Sequence, residues 1–312
     1  MNFLRAAMLV NLLTVGCLAD TPARVTGEHG QFIISDMQLA QTASRAFRDA
    51  IDLDGDDLRD NALGATFATL RTYGFDIQPT LTAAIQNGDI LLCLDVQTTS
   101  FKNAAIVGVQ IRTGFDAAPS PCSADMPMVC GQHLHGGATL VADAAAPLMY
   151  STGALAKGTL MTRGGILPVR LALDVDNFIE LNLHDAAISI NFQDTNPTGI
   201  LAGVVPADDV TRVLIPQTGL QFRRIIDRDC GAKAPGLHRK PQYCQCRSES
   251  RGSFLIELFD QNEDCIVDDQ ELLENTILHT LLASDIEGVD GPGVSFALAI
   301  KLVPATFALV AP

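Results

Sequence analysis

The chain is poor in aromatic residues and in positive charge. It has no Trp and three Tyr, and only 5% of its residues are aromatic. This argues against a surface of aromatic rings on which sugars or single-stranded nucleic acid would stack. Lys and Arg number 21 against 36 Asp and Glu, for a formal net charge of −15 at pH 7. Such a chain repels phosphate backbones, so we predict that it does not bind nucleic acid and that cations are its natural partners.

The sequence also lacks the common catalytic motifs. It contains no G-x-S-x-G, no H-E-x-x-H and no P-loop. His133 and His135 could bind a transition metal together with Asp143, but a lone H-x-H more often belongs to a loop. Asp174 and Asp176 could act as an acid–base pair, but they end an alternating strand, where solvated turn acids are typical. We therefore predict a protein without catalytic activity, with a secreted hydrolase as a remote alternative.

Long hydrophobic runs are missing apart from a short one near the start of the sequence. Arg5 precedes the mostly apolar segment Ala6–Val15, and ten residues are far fewer than the roughly 20 that span a bilayer. We predict a cleaved signal peptide over residues 1–16. LLTVGC resembles a bacterial lipobox with Cys17 as the lipidated residue, although Thr14 stands where Leu is usual. The resemblance implies export to the outer membrane, cell surface or periplasm; the alternative is an ordinary secretory signal that is cut later.

Export would place the other seven cysteines in an oxidising compartment, where disulfides are expected. The segment between Cys122 and Cys130 is short, and we predict that these two residues pair. Cys93 lies in the apolar run ILLCLDV and is predicted to be a buried free thiol.

A second group of cysteines lies late in the chain. Cys244 and Cys246 are too close to bridge each other without strain, so Cys230 and Cys265 are expected to pair with them, in either order. The alternative is a zinc site, although the C-x-C spacing is unusual for zinc. Its ligands would be Cys230, His238, Cys244 and Cys246.

The segment FDQNEDCIVDDQEL carries acids at the spacing of a calcium loop. Calcium takes six to eight oxygen ligands, which an EF-hand loop supplies from positions 1, 3, 5, 7, 9 and 12. Those positions are Asp260, Asn262, Asp264, the carbonyl of Ile266, Asp268 and Glu271. Apolar residues at helical spacing flank the loop, which therefore resembles the EF-hand family. It departs at position 6, where Cys265 replaces the usual Gly and where a disulfide to Cys244 or Cys246 could hold the backbone. The alternative is an acidic turn capping a helix without metal.

A second acidic segment, DLDGDDLRDN, resembles the calcium repeats of thrombospondin type 3 and dockerin modules. Its side-chain ligands at positions 1, 3, 5 and 9 would be Asp52, Asp54, Asp56 and Asp60, with the carbonyl of Leu58 at position 7. Leu63 at position 12 cannot ligate, so a distant carboxylate would have to complete the set; otherwise the segment is a solvated acidic turn. A third segment has only scattered acids, Asp285, Glu287 and Asp290, and could complete a neighbouring site.

Hydrophobic periodicity predicts the fold. Hydrophobic residues make up 47% of the chain, enough for a packed core. Apolar residues alternate with polar ones between residues 160 and 195, as in an antiparallel sheet, while helical spacing occurs near residues 37–51 and after Pro206. We predict an α+β fold: an antiparallel sheet or sandwich core, peripheral helices, and an EF-hand-like helix-loop-helix near the C-terminus.

We divide the sequence into five segments. A tether over residues 17–35 follows the signal peptide of residues 1–16, and an N-terminal region with the DLDGDDLRDN segment covers residues 36–110. A β-rich core with short helices covers residues 111–229. The cysteine loop, the EF-hand-like segment and closing strands, residues 230–312, belong to the same domain as that core.

The layout as a whole resembles a group of secreted lipoproteins of myxobacteria and their relatives. The resemblance runs through DLDGDDLRDNALG, FDIQPTLTAAIQNGDILL, GILAGVVPADDVTRVLIP and the EF-type loop followed by ELLENTILHTLL. That group has no assigned activity, so the resemblance implies a cell-surface location and calcium binding. We expect calcium ions as partners, and the membrane through a lipid on Cys17. A calcium-dependent module that binds a glycan or a surface protein is the alternative function.

Overall fold

The computed structural model describes residues 25–123, 129–143, 149–174, 177–230, 244–247 and 249–310. The strands of this part are β1 Glu28–Gln38, β2 Leu92–Thr98, β3 Ala104–Ala118, β4 Ala138–Asp143, β5 Met149–Ala156, β6 Thr159–Arg163, β7 Leu167–Asp174, β8 Asn177–Asn191, β9 Thr198–Pro206, β10 Ile286–Gly288 and β11 Gly291–Val310. The helices are α1 Ala43–Arg48, α2 Ala62–Thr72, α3 Gln78–Asn87, α4 Ala207–Asp209, α5 Ile215–Asp229, α6 Arg251–Phe259, α7 Asp269–Glu274 and α8 Thr276–Leu281. A π-helical turn, Val210–Leu214, joins α4 to α5.

Eight strands close into an antiparallel barrel. Their order around the ring is β1, β2, β3, β5, β6, β8, β9 and β11, and β11 pairs back with β1. The other three strands extend this ring: β4 lies beside β3 and β11, β7 pairs with β8, and β10 pairs with β11. Bulges interrupt β1 between Ile34 and Asp36 and β8 between His184 and Ala187, where the strands can bend to close the ring.

The strands alternate between the two sides of the barrel wall. In β8, Ile188 and Ile190 are fully buried, whereas Ser189 and Asn191 are partly exposed. The apolar side chains join helix residues in one buried cluster, in which Leu201 and Leu298 of the barrel share a core with Phe67, Phe222 and Phe259 of the helices. Removing this apolar area from water is the main stabilising contribution, at about 25 cal/mol per Å².

The predicted α+β sheet or sandwich core is wrong. The molecule is predominantly β, and its main sheet closes on itself instead of forming two facing layers. One reason is β1, which occupies residues that the sequence assigned to a tether up to residue 35 and to a helix from Met37. Pairing of β1 with β11 joins Phe32 to Pro304, far apart in the chain, and local periodicity does not encode such a contact.

The predicted EF-hand-like helix-loop-helix is wrong as well. We expected a helix from the end of the acidic loop to about Ala283, but α7 ends at Glu274 and α8 begins at Thr276. Asn275 breaks the helix because its side chain accepts hydrogen bonds from the N–H groups of Ile277 and Leu278 and caps α8. Its amide also donates to the carbonyl of Leu258 at 3.0 Å, which fixes the break against α6.

Three disulfides occur among the described residues. The predicted pair Cys122–Cys130 is present, and the later cysteines pair as Cys230–Cys246 and Cys244–Cys265. Sulfurs that are bonded to each other offer no thiolate, which removes the zinc alternative at this group. His238, its fourth proposed ligand, lies outside the described residues, as do the predicted signal peptide and Cys17.

Cys93 is a buried free thiol, as predicted. Burial in apolar surroundings raises the pKa of this thiol to about 12. It therefore stays protonated and unreactive at neutral pH. No helix in the described part of the chain is long and apolar enough to span a membrane.

Candidate metal site

The first acidic loop, residues 52–60, connects α1 to α2 and is closed at its base. The N–H of Asp60 donates to the carbonyl of Ile51 at 3.0 Å. Within the loop, the carboxylate of Asp52 accepts hydrogen bonds from the N–H groups of Gly55 at 2.6 Å and Asp57 at 3.1 Å. Gly55 and Asp57 have positive φ, which Gly and Asp tolerate better than most residues. The loop thus curls back over its own first carboxylate.

Three carboxylates of this loop converge. Asp52, Asp54 and Asp60 each offer an oxygen, and these oxygens all lie within 4.8 Å of one another. Calcium–oxygen distances are about 2.3–2.6 Å, so oxygens on one ion lie no more than about 5 Å apart. The separation therefore fits a single bound cation. Asp56, the fourth predicted side-chain ligand, is not in this group, and its carboxylate accepts from the N–H of Leu58 at 2.8 Å.

The electrostatics of the loop favour a positive ion. The pKa of Asp60 is raised, first by burial and then by the neighbouring carboxylates of Asp54, Asp285 and Asp52, while a hydrogen bond from the N–H of Leu53 opposes the shift. A raised pKa means that the charged form is disfavoured where it stands. A cation among these oxygens would remove that repulsion.

The loop is held firmly against the barrel. The outer face of the barrel, formed here by β8, β9 and β11, buries Ala50, Ile51 and Leu53 at the start of the loop. Arg163, at the end of β6, donates to the carbonyls of Asp52 and Leu53, the latter at 3.0 Å. Sequence analysis missed Arg163 because it lies 110 residues from Leu53, and no local pattern connects the two.

Asp285 is the only acid of the third segment that lies beside this loop. Its carboxylate accepts hydrogen bonds from the N–H of Ser295 at 2.7 Å and from the hydroxyl of Ser295 at 2.5 Å. Glu287 is exposed on β10, and Asp290 pairs with His184 at 2.5 Å. The three acids therefore diverge, and Asp285 alone adds negative charge near Asp60.

The second acidic loop lies between α6 and α7 and has a dense set of internal hydrogen bonds. Asp260 accepts from the N–H groups of Asp264 at 3.0 Å and Cys265 at 2.8 Å. Its pKa is raised, mainly by burial and further by the carboxylates of Glu271 and Asp264, against the two hydrogen bonds. Cys265 has φ +67°, the left-handed conformation expected at this position of a calcium loop.

The side chains of the other predicted ligands of this loop accept hydrogen bonds mainly from backbone N–H groups. Asn262 accepts from the N–H of Asp264 at 2.8 Å, and Asp264 accepts from the N–H of Ile266 at 2.8 Å. Asp268 and Glu271 form a capping box at the start of α7. The other oxygen of Glu271 accepts from the N–H groups of Gln261 and Asn262.

The described acids of the second loop do not converge as those of the first loop do. The group of potential ligands around Asp260 consists of this residue with Cys244 and Cys265. Because these two cysteines are joined in a disulfide, they cannot bind a metal as thiolates. The first loop, which the sequence ranked second, is therefore the stronger candidate by geometry.

The sequence offered two other candidate sites, the H-x-H pair for a metal and the pair of Asp174 and Asp176 for acid–base catalysis. His133 is completely buried and His135 is exposed, so the H-x-H pair does not present two imidazoles to one ion. Burial lowers the pKa of His133, which keeps it neutral. Asp174 forms an ion pair with Arg224 at 3.5 Å, and Asp176 lies outside the described residues.

The candidate site thus consists of three converging carboxylates on a loop that is fixed to the barrel, beside a fourth acid from another segment. Such a group suits a hard cation with oxygen ligands. No protein-family model, curated protein or solved structure matches this chain.

Proposed function

We propose that this is an exported, calcium-binding protein without catalytic activity, in which the ion has a structural role. The convergence of Asp52, Asp54 and Asp60 to within 4.8 Å carries the proposal. Calcium is the common extracellular cation that takes carboxylate and carbonyl oxygens in a flexible arrangement. The ion would crosslink the two ends of the acidic loop. It would also stabilise the charged form of Asp60, whose pKa is raised first by burial and then by the neighbouring carboxylates.

Three disulfides support an extracellular or periplasmic location, because such bonds persist in oxidising compartments. The proposed signal peptide and the lipid on Cys17 would tether the protein to a membrane surface. Labelling of expressing cells with a radioactive fatty acid tests the anchor. We expect label on the full chain and none on a Cys17→Ser variant; an unlabelled wild-type chain contradicts lipidation.

Calcium that binds the folded form alone stabilises it by RT ln(1 + c/Kd), where c is the free calcium concentration, so the gain grows with c. Extracellular calcium modules bind at about 10⁻⁴ to 10⁻³ M, so millimolar calcium should fill the site. We expect the melting temperature and the resistance to protease to rise with calcium and to return to the initial values with EDTA. Magnesium should have a smaller effect, because it dehydrates reluctantly and demands a stricter geometry.

Two variants of the first loop make this test specific. Asp52→Asn together with Asp54→Asn removes two of the three converging charges and should abolish the calcium-dependent rise in melting temperature. Asp57→Asn is the matched control, since Asp57 is an exposed acid of the same loop outside the converging group, and Asn tolerates its positive φ. The proposal fails for this loop if both proteins respond to calcium as the wild type does.

Titration calorimetry separates the two loops. Asp264→Asn changes a predicted ligand of the second loop, and Glu263→Gln changes a neighbouring acid that is not a predicted ligand. If the second loop also binds calcium, Asp264→Asn should remove one binding event and Glu263→Gln should leave both. If neither variant changes the titration, the second loop is an acidic cap without metal, and the first loop alone accounts for binding.

A further inference from the structure

An open cleft lies on the outer face of the barrel, next to α1. Its floor is formed by the outward-facing residues of β8, β9 and β11, and its wall by α1 and the end of the first acidic loop. The cleft has a volume of about 420 Å³. Small-molecule sites typically have about 300–1,000 Å³, so the cleft is large enough for a ligand of the size of a disaccharide.

Positive charge is concentrated in this cleft, although the chain as a whole carries −15. Arg45, Arg48, Arg59 and Lys301 line it. Arg45 and Arg48 both reach the carboxylate of Asp49, at 3.4 and 3.5 Å, so two guanidinium groups share one counter-charge.

Of the other two cations, Lys301 has a carboxylate partner and Arg59 contacts a carbonyl. Lys301 pairs with Asp36 at 2.9 Å, and Arg59 donates to the carbonyl of Arg48. Four cations therefore face the two carboxylates of Asp36 and Asp49. The side chains of Arg45 and Arg48 are more than half exposed, so their remaining N–H donors can reach a ligand in the cleft.

The floor adds neutral polar groups. Ser189, Asn191 and Thr198 occupy outward positions on β8 and β9, where they offer hydroxyl and amide groups. Of the described residues that line the cleft, none is aromatic, so a nucleobase or a neutral sugar would find no ring on which to stack. Recognition here depends on charge and hydrogen bonds.

We propose that this cleft binds a small molecule that carries two or more sulfate or carboxylate groups. A guanidinium group matches such oxyanions because its N–H donors form a planar fork. The surplus of cations supplies the counter-charges, and the polar floor can bind hydroxyl groups between them. None of the three converging carboxylates lines the cleft, and of the first acidic loop only Arg59 does, so we expect ligand binding to persist without calcium.

The test is titration calorimetry with three probes: a trisulfated disaccharide, the same disaccharide without sulfate, and inorganic sulfate. We expect the trisulfated disaccharide to bind, with an affinity that falls as sodium chloride is added, and the unsulfated one not to bind. Equal affinity for inorganic sulfate would overturn the proposal of two or more charged groups on one molecule, because a single oxyanion would then account for the binding. Equal affinity for the unsulfated sugar would overturn the proposal.

The double variant Arg45→Gln and Arg48→Gln should weaken binding by at least about tenfold, since each arginine supplies a charged hydrogen bond. Arg212→Gln is the matched control. Arg212 is exposed and pairs with an aspartate four residues away, as Arg45 does, but it does not line the cleft. An unchanged melting temperature in all variants shows that they fold. Wild-type affinity in the double variant overturns the proposal.

A second titration separates this inference from the calcium proposal. It uses protein freed of calcium on a chelating resin, because EDTA is itself a polycarboxylate and would compete for the cleft. Binding that persists without calcium shows that the cleft itself holds the sulfate groups. Binding that disappears without calcium and returns when calcium is added overturns the proposed site, because the ion would then be needed to hold the ligand.

Discussion

Cys265 occupies a backbone position that normally requires glycine. Its φ of +67° lies in the left-handed region, and its N–H donates to the carboxylate of Asp260 at 2.8 Å. A side chain costs about 1–2 kcal/mol in this conformation. The disulfide to Cys244 crosslinks this position to the segment before α6, which gives a reason for cysteine at the tightest point of the loop.

This interpretation predicts an order of stability between two variants that both lack the disulfide. With Cys244→Ser in each, Cys265→Gly should be more stable than Cys265→Ala by about 1 kcal/mol, because glycine adopts positive φ without steric cost. Urea unfolding under oxidising conditions measures the difference. Equal or reversed stabilities would show that the backbone does not keep this conformation.

Asp229 is a buried carboxylate that connects three segments. It accepts hydrogen bonds from Arg228 at 2.8 Å, from Arg247 at 3.0 Å and from the N–H of Gly252 at 3.0 Å, in the first turn of α6. The hydrogen bond from Arg228 is the largest cause that lowers its pKa, to about 2, against the opposing effect of burial. The side chain of Asp229 is only 5% exposed, whereas both arginines are more than half exposed, so solvent reaches the contacts from the arginine side.

The lowered pKa of Asp229 predicts how stability changes with pH. A carboxyl with a depressed pKa in the folded state stabilises the protein above the pKa of the unfolded chain, and this contribution is lost as pH falls from about 4 towards 2. Asp229→Asn should therefore cost about 1–2 kcal/mol near neutral pH and flatten this acid limb. Urea midpoints across the acid range measure both effects.

Asp208→Asn is the control for Asp229→Asn. Asp208 forms an exposed pair with Arg212, and such pairs contribute little. An acid limb of unchanged steepness in Asp229→Asn would contradict the role of this carboxylate.

At the scale of elements, Asn61 joins α2 to the barrel. Its side-chain oxygen accepts from the N–H groups of Gly64 and Ala297, both at 2.9 Å, and its amide donates to the carbonyls of Ala46 and Ala297. The residue is 1% exposed. The side chain of Asn61 therefore caps α2 and forms hydrogen bonds to both α1 and the middle of β11.

Asn61→Ala should cost about 3–5 kcal/mol, since four hydrogen bonds are lost and backbone groups are left unpaired in a buried place. Thr42→Ala removes the side-chain cap of α1, which accepts a hydrogen bond from the N–H of Arg45 and contacts the hydroxyl of the exposed Ser44, and should cost only about 1 kcal/mol. Thermal unfolding compares the two variants. Similar losses would show that Asn61 acts only as a helix cap.

Sequence analysis identified elements where the periodicity is strong and local. The alternating run LPVRLALDV is β7, whereas NFIELNLHD and AAISINF, which looked like two runs, form the single strand β8. The helical pattern after Pro206 continues into α5. It missed β1, because EHGQFIISDMQ begins with polar residues and has no clean alternation. It also placed one helix where Asn275 separates two, since capping depends on a side chain that turns back to its own backbone.

At the scale of the molecule, strands and helices share one buried cluster. Leu298 of the barrel and Phe222 of α5 belong to the same core, so neither part can lose its structure without exposing apolar area of the other. We predict a single unfolding transition in urea. Far-UV circular dichroism and near-UV signals from Tyr73, on the helical side, and Tyr150, on β5, should coincide. A lag between these signals would reveal separate units.

The architecture and the site were predictable only in part because both depend on distant contacts. Alternation indicates an antiparallel sheet but does not say whether it closes, and closure here depends on β1 meeting β11. The acids of both loops were evident from spacing. Their convergence was not, because it depends on contacts that are distant in the chain. Arg163 donates to the carbonyls of Asp52 and Leu53, and Leu53, which is buried against the barrel, donates its N–H to Asp60.

The pairing of β1 with β11 has a consequence for protein engineering. The side chain of Gln31 is hydrogen-bonded to both the N–H and the carbonyl of Phe307, so the first and last strands run side by side near their outer ends. A short peptide could connect them, and a permuted chain could be opened at an exposed turn, such as residues 194–196 between β8 and β9, with the same barrel retained. A reporter fused after β11 would, for the same reason, emerge beside β1.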